Sequence, residues 1–164
     1  MSAGINSSEI VQVAVGIVVD NMSPDLDPAM PREHDPDNAA QQDQAPRILI
    51  TRRTADQVLA GLWELPGGKL EPDETAAQAV VRELHEEVGI EVTPIASLAP
   101  VEHRYDHAHV RLLPFICHLV AGTPQPLHVD EVRWVTADQL PDFAFPDASL
   151  PVLDELTQWL ADNA

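Results

Sequence analysis

Cysteine is almost missing from this 164-residue chain: Cys117 stands alone. An intramolecular disulfide is thereby excluded, and because Cys117 falls in the apolar run "FICHLV" it reads as a buried, inert thiol. A reducing, cytoplasmic setting is the matching expectation. Basic residues are scarce as well, with 9 Lys and Arg against 27 Asp and Glu and a formal net charge of -18. Duplex nucleic acid is disfavoured as a partner, since binding its phosphates needs clustered Lys and Arg. Any phosphate handled here has to be held locally, through cations. Long apolar runs are also lacking. "VQVAVGIVVD" follows Glu9, has no basic leader and is too short to span a bilayer, so it reads as a buried β-strand and no membrane partner is expected. What remains is ordinary: a hydrophobic content of 45% and a length suited to one domain with a sizeable core.

Along the chain, residues 21–46 break the apolar pattern with five prolines and six acids against one Arg. This reads as a flexible insertion in a single domain spanning 1–164, set between β-like runs at Ile10 to Asp20 and Arg47 to Arg52 in place of a hairpin turn. It is either a solvated acidic loop or a segment with a partner-binding or salt-adaptation role. Pro66-Gly67-Gly68 marks a tight turn after a short strand around Trp63 to Leu65. A helix follows over Ala76 to Val88, started by Pro72 and Asp73 and capped by Gly89, with Ala77, Val80, Val81, Leu84 and Val88 as its buried stripe. "IASLAPVEHRY" and "HVRLLPFICHLV" suggest a hairpin around His107, "VRWV" a short strand, and "TADQLPDF" a turn. The closing "SLPVLDELTQWL" predicts a packing helix with Leu150, Leu153, Leu156 or Thr157, and Leu160 inward. Strands mixed with two helices predict an α/β fold with helices covering a mixed sheet.

The segment "GGKLEPDETAAQAVVRELHEEVGI" carries the chemistry. At 100° per residue Glu83 and Glu87 share one line of the helix and Glu86 lies about 60° to the side, so three carboxylates can converge. Such like charges repel by about 0.2–0.5 kcal/mol per pair, and their place in the C-terminal half of the helix adds to the penalty. A hard divalent cation removes it, and carboxylate oxygens suit Mg²⁺ or Mn²⁺ better than zinc. Gly67 and Gly68 allow a tight backbone turn beside the cluster. Arg82 can hold a neighbouring carboxylate by its planar fork, with Glu74 as a further partner.

From Gly68 through Glu74 to Arg82-Glu83-Leu84-His85-Glu86-Glu87-Val88-Gly89-Ile90 this segment resembles the Nudix box, matching all nine specified positions of the 23-residue motif. "VAVGIVV", "ILITRR", "WELPGGK", "AVVRELHEEVGI" and "FPDASLPVL" resemble the MutT group in the same order, leaving out 21–46. The resemblance implies an α/β/α sandwich with a mixed β-sheet. It implies hydrolysis of a nucleoside diphosphate linked to another moiety, with Mg²⁺ or Mn²⁺. Glu83, Glu86 and Glu87 are then metal ligands helped by the carbonyl of Gly67, with Arg82 and Glu74 orienting them.

Around the box the resemblance extends less evenly. A further acidic ligand is expected six residues ahead of the Trp of "VRWV". His128 fills that slot and can itself act as a ligand; Asp130 or Glu131 stands close enough to substitute, with Glu131 in the expected metal set and a site of the box residues alone as the alternative. Arg53, Gly68, Lys69 and Ser149 make up the expected substrate-binding set. Ser149 stands where the group often carries Asn, or it is simply the N-cap of the last helix; Asp147 can reach the same space. The expected substrate is a nucleoside triphosphate, 8-oxo-dGTP-like or not, cleaved to monophosphate and pyrophosphate. CTP-like pyrimidine nucleotides, ADP-ribose and dinucleoside polyphosphates are the alternatives, as is a nucleotide-sensing module without hydrolysis. Such a module would be expected to have lost box carboxylates, and none is lost. A piece of a DNA-repair glycosylase would need a basic DNA-binding region, which the sequence does not supply.

Overall fold

The computed structural model describes residues 9–20 and 45–163, so the reading of 21–46 as a flexible insertion falls almost wholly outside the described residues. Its two ends are nevertheless defined. β1 (Ile10–Asp20) and β2 (Arg47–Arg52) pair antiparallel with Asp20 opposite Arg47, and the Arg47 guanidinium bonds the Asp20 carboxylate.

The remaining strands are β3 (Trp63–Glu64), β4 (Gly67–Lys69), β5 (Glu91–Ser97), β6 (Val101–Arg104), β7 (His109–Ala121) and β8 (Glu131–Thr136). They join one mixed sheet in the order β3-β2-β1-β7-β5, with β4 on β1, β6 on β7 and β8 on β2. β1 and β7 run parallel over nine residue pairs at the centre, while the other pairings are antiparallel. The hairpin around His107 is present, with Arg104 opposite His109. Ile95 to Ser97, however, belong to the preceding β5, at the edge, where Pro94 lacks an N–H to contribute and the register slips beside it. "TADQLPDF" forms a 3₁₀ helix, Ala137–Asp142.

Two helices cover the sheet: α1 (Ala76–Val88) and α2 (Leu150–Asp162). Side chains of a strand alternate between its faces, and the core divides accordingly. Val15, Ile17, Val19, Ile48 and Ile50 pack with Val152, Leu153 and Leu156 of α2, whereas Ala14, Val18 and Leu49 pack with Ala79, Val80, Leu84 and Val88 of α1. The result is an α/β/α sandwich. Each fully buried Leu, Ile or Val contributes about 1.5–3 kcal/mol, so these two layers are what fix the helices on the sheet. Cys117 lies buried in the α1 layer, where burial pushes its thiol up to about 12.

The helix start and both buried stripes differ from the sequence expectation. α1 begins after Thr75, whose hydroxyl accepts from the Gln78 N–H at 3.2 Å while the Gln78 side chain accepts from the Thr75 N–H at 2.9 Å. That reciprocal cap outcompetes Pro72 and Asp73, the latter sitting in a left-handed turn at φ 63°. The inward stripe of α1 is Ala79, Val80, Leu84 and Val88, with Val81 exposed. In α2, Val152 takes an inward place and Leu150 is exposed. Gly89 caps α1 as expected, at φ 72°, its N–H donating to the His85 carbonyl.

Candidate active site

α1 leans its acidic flank against β4, and the two glycines there are required by closeness. A Cβ on Gly67 would come within 2.0 Å of the Ala14 carbonyl oxygen on β1. A Cβ on Gly68 would come within 2.4–2.7 Å of the whole Glu83 carboxylate. Neither glycine has a positive φ among the described residues, so what the sequence reads as a tight turn is instead a strand with no room for side chains. Bare backbone at Gly68 is the cradle on which the Glu83 carboxylate rests.

Arg82 organises the rest of that flank. Its Nε and Nη2 hold the two Glu74 oxygens at 2.8 and 2.9 Å, its Nη1 holds Glu83 at 2.7 Å and Glu86 at 3.3 Å, and Nη2 also donates to the Lys69 carbonyl at 3.1 Å. The bidentate bond from Arg82, with the Glu71 N–H, draws Glu74 down to about 2. The same contacts, Glu74 foremost, hold the Arg82 guanidinium above its ordinary value.

Glu87 stands apart from Arg82, partly buried, accepting from the Gly67 N–H at 3.3 Å. Burial, then the charges of Glu64 and Glu83, push its carboxyl up to about 8, while the Gly67 N–H and the Arg53 charge pull the other way. Glu64 is raised by burial too, offset by Arg53, whose Nη1 it accepts from at 2.6 Å. Thr51 faces Glu64 across β2 and β3, so Arg53, two residues on, is the diagonal neighbour of Glu64 on the same sheet face. Arg53 Nε also donates to the Val58 carbonyl at 2.7 Å, and its backbone bonds Leu62 and Gly61, closing the loop that contains Thr54, Asp56 and Gln57.

That loop and α1 form two walls of a cleft of about 450 Å³, lined by Thr54, Asp56, Gln57, Glu83, Glu86, Glu87, Leu127, His128 and Val129. The third wall is hung on the end of α1, where the Leu127 and His128 N–H groups both donate to the Glu87 carbonyl at 3.1 Å. The three glutamates of the helix thus face one cleft. At ligand distance they do not meet: among the described residues no three His, Cys, Asp or Glu side chains are gathered as a ready-made metal set. Glu83 and Glu86 are turned to Arg82 instead.

The loop before β8 holds the residues expected to offer a further ligand. Glu131 does not line the cleft: it opens β8 opposite Arg52 and is paired with Arg133 at 2.6 Å and Arg52 at 3.5 Å. Asp130 is held by Arg52 at 2.5 Å. His128, the slot counted back from Trp134, is the residue that reaches the cleft. Of the expected substrate set, Arg53, Gly68, Lys69 and Ser149, none is among the lining residues; Gly68 lies against Glu83 and Arg53 closes the cleft loop from behind. Ser149 occupies the N-cap position of α2 without a side-chain cap bond, and its neighbour Ala148 donates to the Tyr105 hydroxyl at 2.9 Å. Asp56 and Glu64 were missed. Glu64 is recognisable only through strand register, which sequence spacing does not give.

These donors suit a hard divalent cation. They are carboxylate oxygens, one of them resting on bare backbone, with a buried carboxylate that has like-charged neighbours and an amide as its hydrogen-bond partner.

Comparisons with known proteins agree with this arrangement. A family model described as NUDIX domain matches residues 39–155. The chain is 38% identical to the 8-oxo-dGTP diphosphatase of Escherichia coli (strain K12), over 66% of this chain and 84% of that protein. It is 37% identical to the CTP pyrophosphohydrolase of the same organism, over 66% and 80% respectively. The solution structure of the E. coli ORF135 protein superposes with a TM-score of 0.67 at 28% identity, covering 94% of this chain and 93% of that one. A crystal structure of the MutT protein from Methanosarcina mazei Go1 superposes with a TM-score of 0.68 at 20% identity, covering 92% and 94%. With a matching family model, relatives of this identity and a shared sandwich, the chain belongs to the Nudix hydrolases, enzymes acting on phosphoric anhydrides.

Proposed function

We propose that this Nudix hydrolase converts a nucleoside triphosphate to the monophosphate and pyrophosphate, with Mg²⁺ or Mn²⁺ held by Glu83, Glu86, Glu87 and the Gly67 carbonyl. The observation that carries the reading is the single cleft faced by all three glutamates, with Glu83 seated on Gly68. Nudix hydrolases generally need a divalent cation. Bound here, it would neutralise the polyphosphate, make phosphorus more electrophilic and render water more acidic.

The chain's own residues do the rest. Arg82 fixes the rotamers of Glu83 and Glu86 from one side, and Glu74 holds Arg82. One of the cleft carboxylates takes a proton from the attacking water. The water oxygen ends on phosphorus, and the bond from phosphorus to the bridging oxygen of the anhydride breaks. Thr54, Asp56 and Gln57 give the opposite wall polar groups for the remainder of the nucleotide, with Arg53 behind them. Gly68 and Lys69 border the phosphate end in this reading, and Ser149 belongs to the base end.

An oxidised purine is supported by a relative named 8-oxo-dGTP diphosphatase, and a pyrimidine by one of nearly equal identity named CTP pyrophosphohydrolase. Ser149 enters this reading by its place in the family pattern alone, where a single hydroxyl would not supply the paired donor and acceptor with which an amide reads a purine edge. The test is a hydrolysis screen of 8-oxo-dGTP, dGTP, CTP, dCTP and ADP-ribose with Mg²⁺, with Mn²⁺ and with chelator, reading products by chromatography. Release of pyrophosphate and a monophosphate from a triphosphate, abolished by chelator, is expected. Cleavage of ADP-ribose alone would overturn the triphosphate reading.

A further inference from the structure

We propose that Glu64 is a positioning residue: by holding Arg53 in an ion pair it keeps the guanidinium off Glu87 and leaves that carboxylate to the divalent cation. The inference rests on the reading above that Glu87 helps hold the cation. The cationic Arg53 lies on the same sheet face as Glu64, and Glu64 stands three residues before Gly67, whose N–H holds Glu87. Without a carboxylate of its own a partly buried guanidinium pairs with another, and Glu87, whose hydrogen-bond partner is one amide at 3.3 Å, is open to it.

Glu64 prevents this. Its carboxylate accepts from Arg53 Nη1 at 2.6 Å, and both side chains are largely buried, at 24% and 19% exposure, so water weakens their attraction little. The second tether, Arg53 Nε to the Val58 carbonyl at 2.7 Å, fixes the other edge of the fork. Strand pairing sets Glu64 in place: Thr51 opposite Glu64 puts the carboxylate diagonally beside Arg53, a geometry that does not depend on any long side chain finding its partner.

A double-mutant cycle on the cation separates this from ordinary charge addition. Mn²⁺ binding to the full-length protein, followed by the paramagnetic signal of free Mn²⁺, is compared in wild type, R53M, E64Q and R53M/E64Q, with E87Q as control. If charges simply add, R53M tightens Mn²⁺ binding by the same factor in both backgrounds. With Glu64 as the holder of Arg53, R53M changes wild-type binding by less than about twofold, E64Q weakens it about tenfold, and adding R53M to E64Q restores most of the loss; such non-additivity is typical of contacting residues. Equal factors in the two backgrounds overturn the proposal while leaving Glu87 as a ligand. Unchanged binding in E87Q overturns both this proposal and the cation site itself.

Discussion

At the scale of single residues, the site depends on atoms that are close and on one that is missing. Gly68 has no Cβ, and that absence is what lets the Glu83 carboxylate lie on the backbone within 2.4–2.7 Å of where a Cβ would be. Gly68→Ala therefore has to displace Glu83. Because the displaced group is the end of a flexible side chain, the fold loses little, and Tm should stay within a few degrees while kcat/KM falls on the order of 10²-fold. Wild-type activity in that variant, measured at saturating Mg²⁺, would show that Glu83 works from elsewhere. Glu87→Gln makes the complementary case. It removes a carboxyl whose ionised form burial and the neighbouring Glu64 and Glu83 disfavour, so the cation-free protein should melt at the same temperature or higher, yet turnover should drop on the order of 10²-fold or more. Retained turnover with saturating cation would remove Glu87 from the chemistry.

At the scale of elements, α1 is both a packing helix and the frame of the site, and Arg82 and Glu74 tie its flank to the turn before it. Glu74 is drawn down to about 2 from its ordinary 4.5, so its contribution to stability is fully present above pH 4.5 and is lost as pH falls through about 2. In Glu74→Gln that contribution is absent at every pH. The melting temperatures of the two proteins should differ by a constant amount above pH 5 and converge by about pH 2, which thermal scans across that range read directly. A gap that persists unchanged at pH 2 would mean that Glu74 acts by packing and not by charge. The same helix shows what sequence can and cannot reveal. Its span and its Gly89 cap follow from spacing, and so does the shared flank of the glutamates, because helical periodicity is local. The Thr75 cap was hidden by the stronger-looking Pro72 and Asp73, although Thr75 with Gln78 three residues later is a readable signature. The placement of the loop before β8 was not legible from residue type: pairing of β8 with β2 sets Asp130 and Glu131 beside Arg52 and leaves His128 at the cleft. Glu64 depends on which strand lies beside which, and that information resides in the sheet, not in any one segment.

At the scale of the whole molecule, the sheet joins β1 to β2 across residues 21–46, and the energetics of that connection yield a prediction independent of the chemistry. Asp20 and Arg47 are paired in the ladder and bonded through their side chains, so the ends of the connection are fixed by the sheet itself. Closing a chain of n residues costs an entropy that grows only as the logarithm of n. Removing residues 23–44 and joining Met22 to Ala45 leaves four connecting residues, a length suited to a hairpin around a type I turn, and by this scaling it should stabilise the protein by about 1–2 kcal/mol. Arg82, Glu83, Glu86 and Glu87 all lie on α1, remote in the chain from the deletion, so kcat and KM should be unchanged. Chemical denaturation and steady-state kinetics on the shortened protein test both halves together. A more stable protein with intact turnover assigns the segment to the surface. An intact fold that has lost hydrolysis of every nucleotide would instead place the segment over the cleft, where its six acids would have to share the divalent cations with Glu83, Glu86 and Glu87.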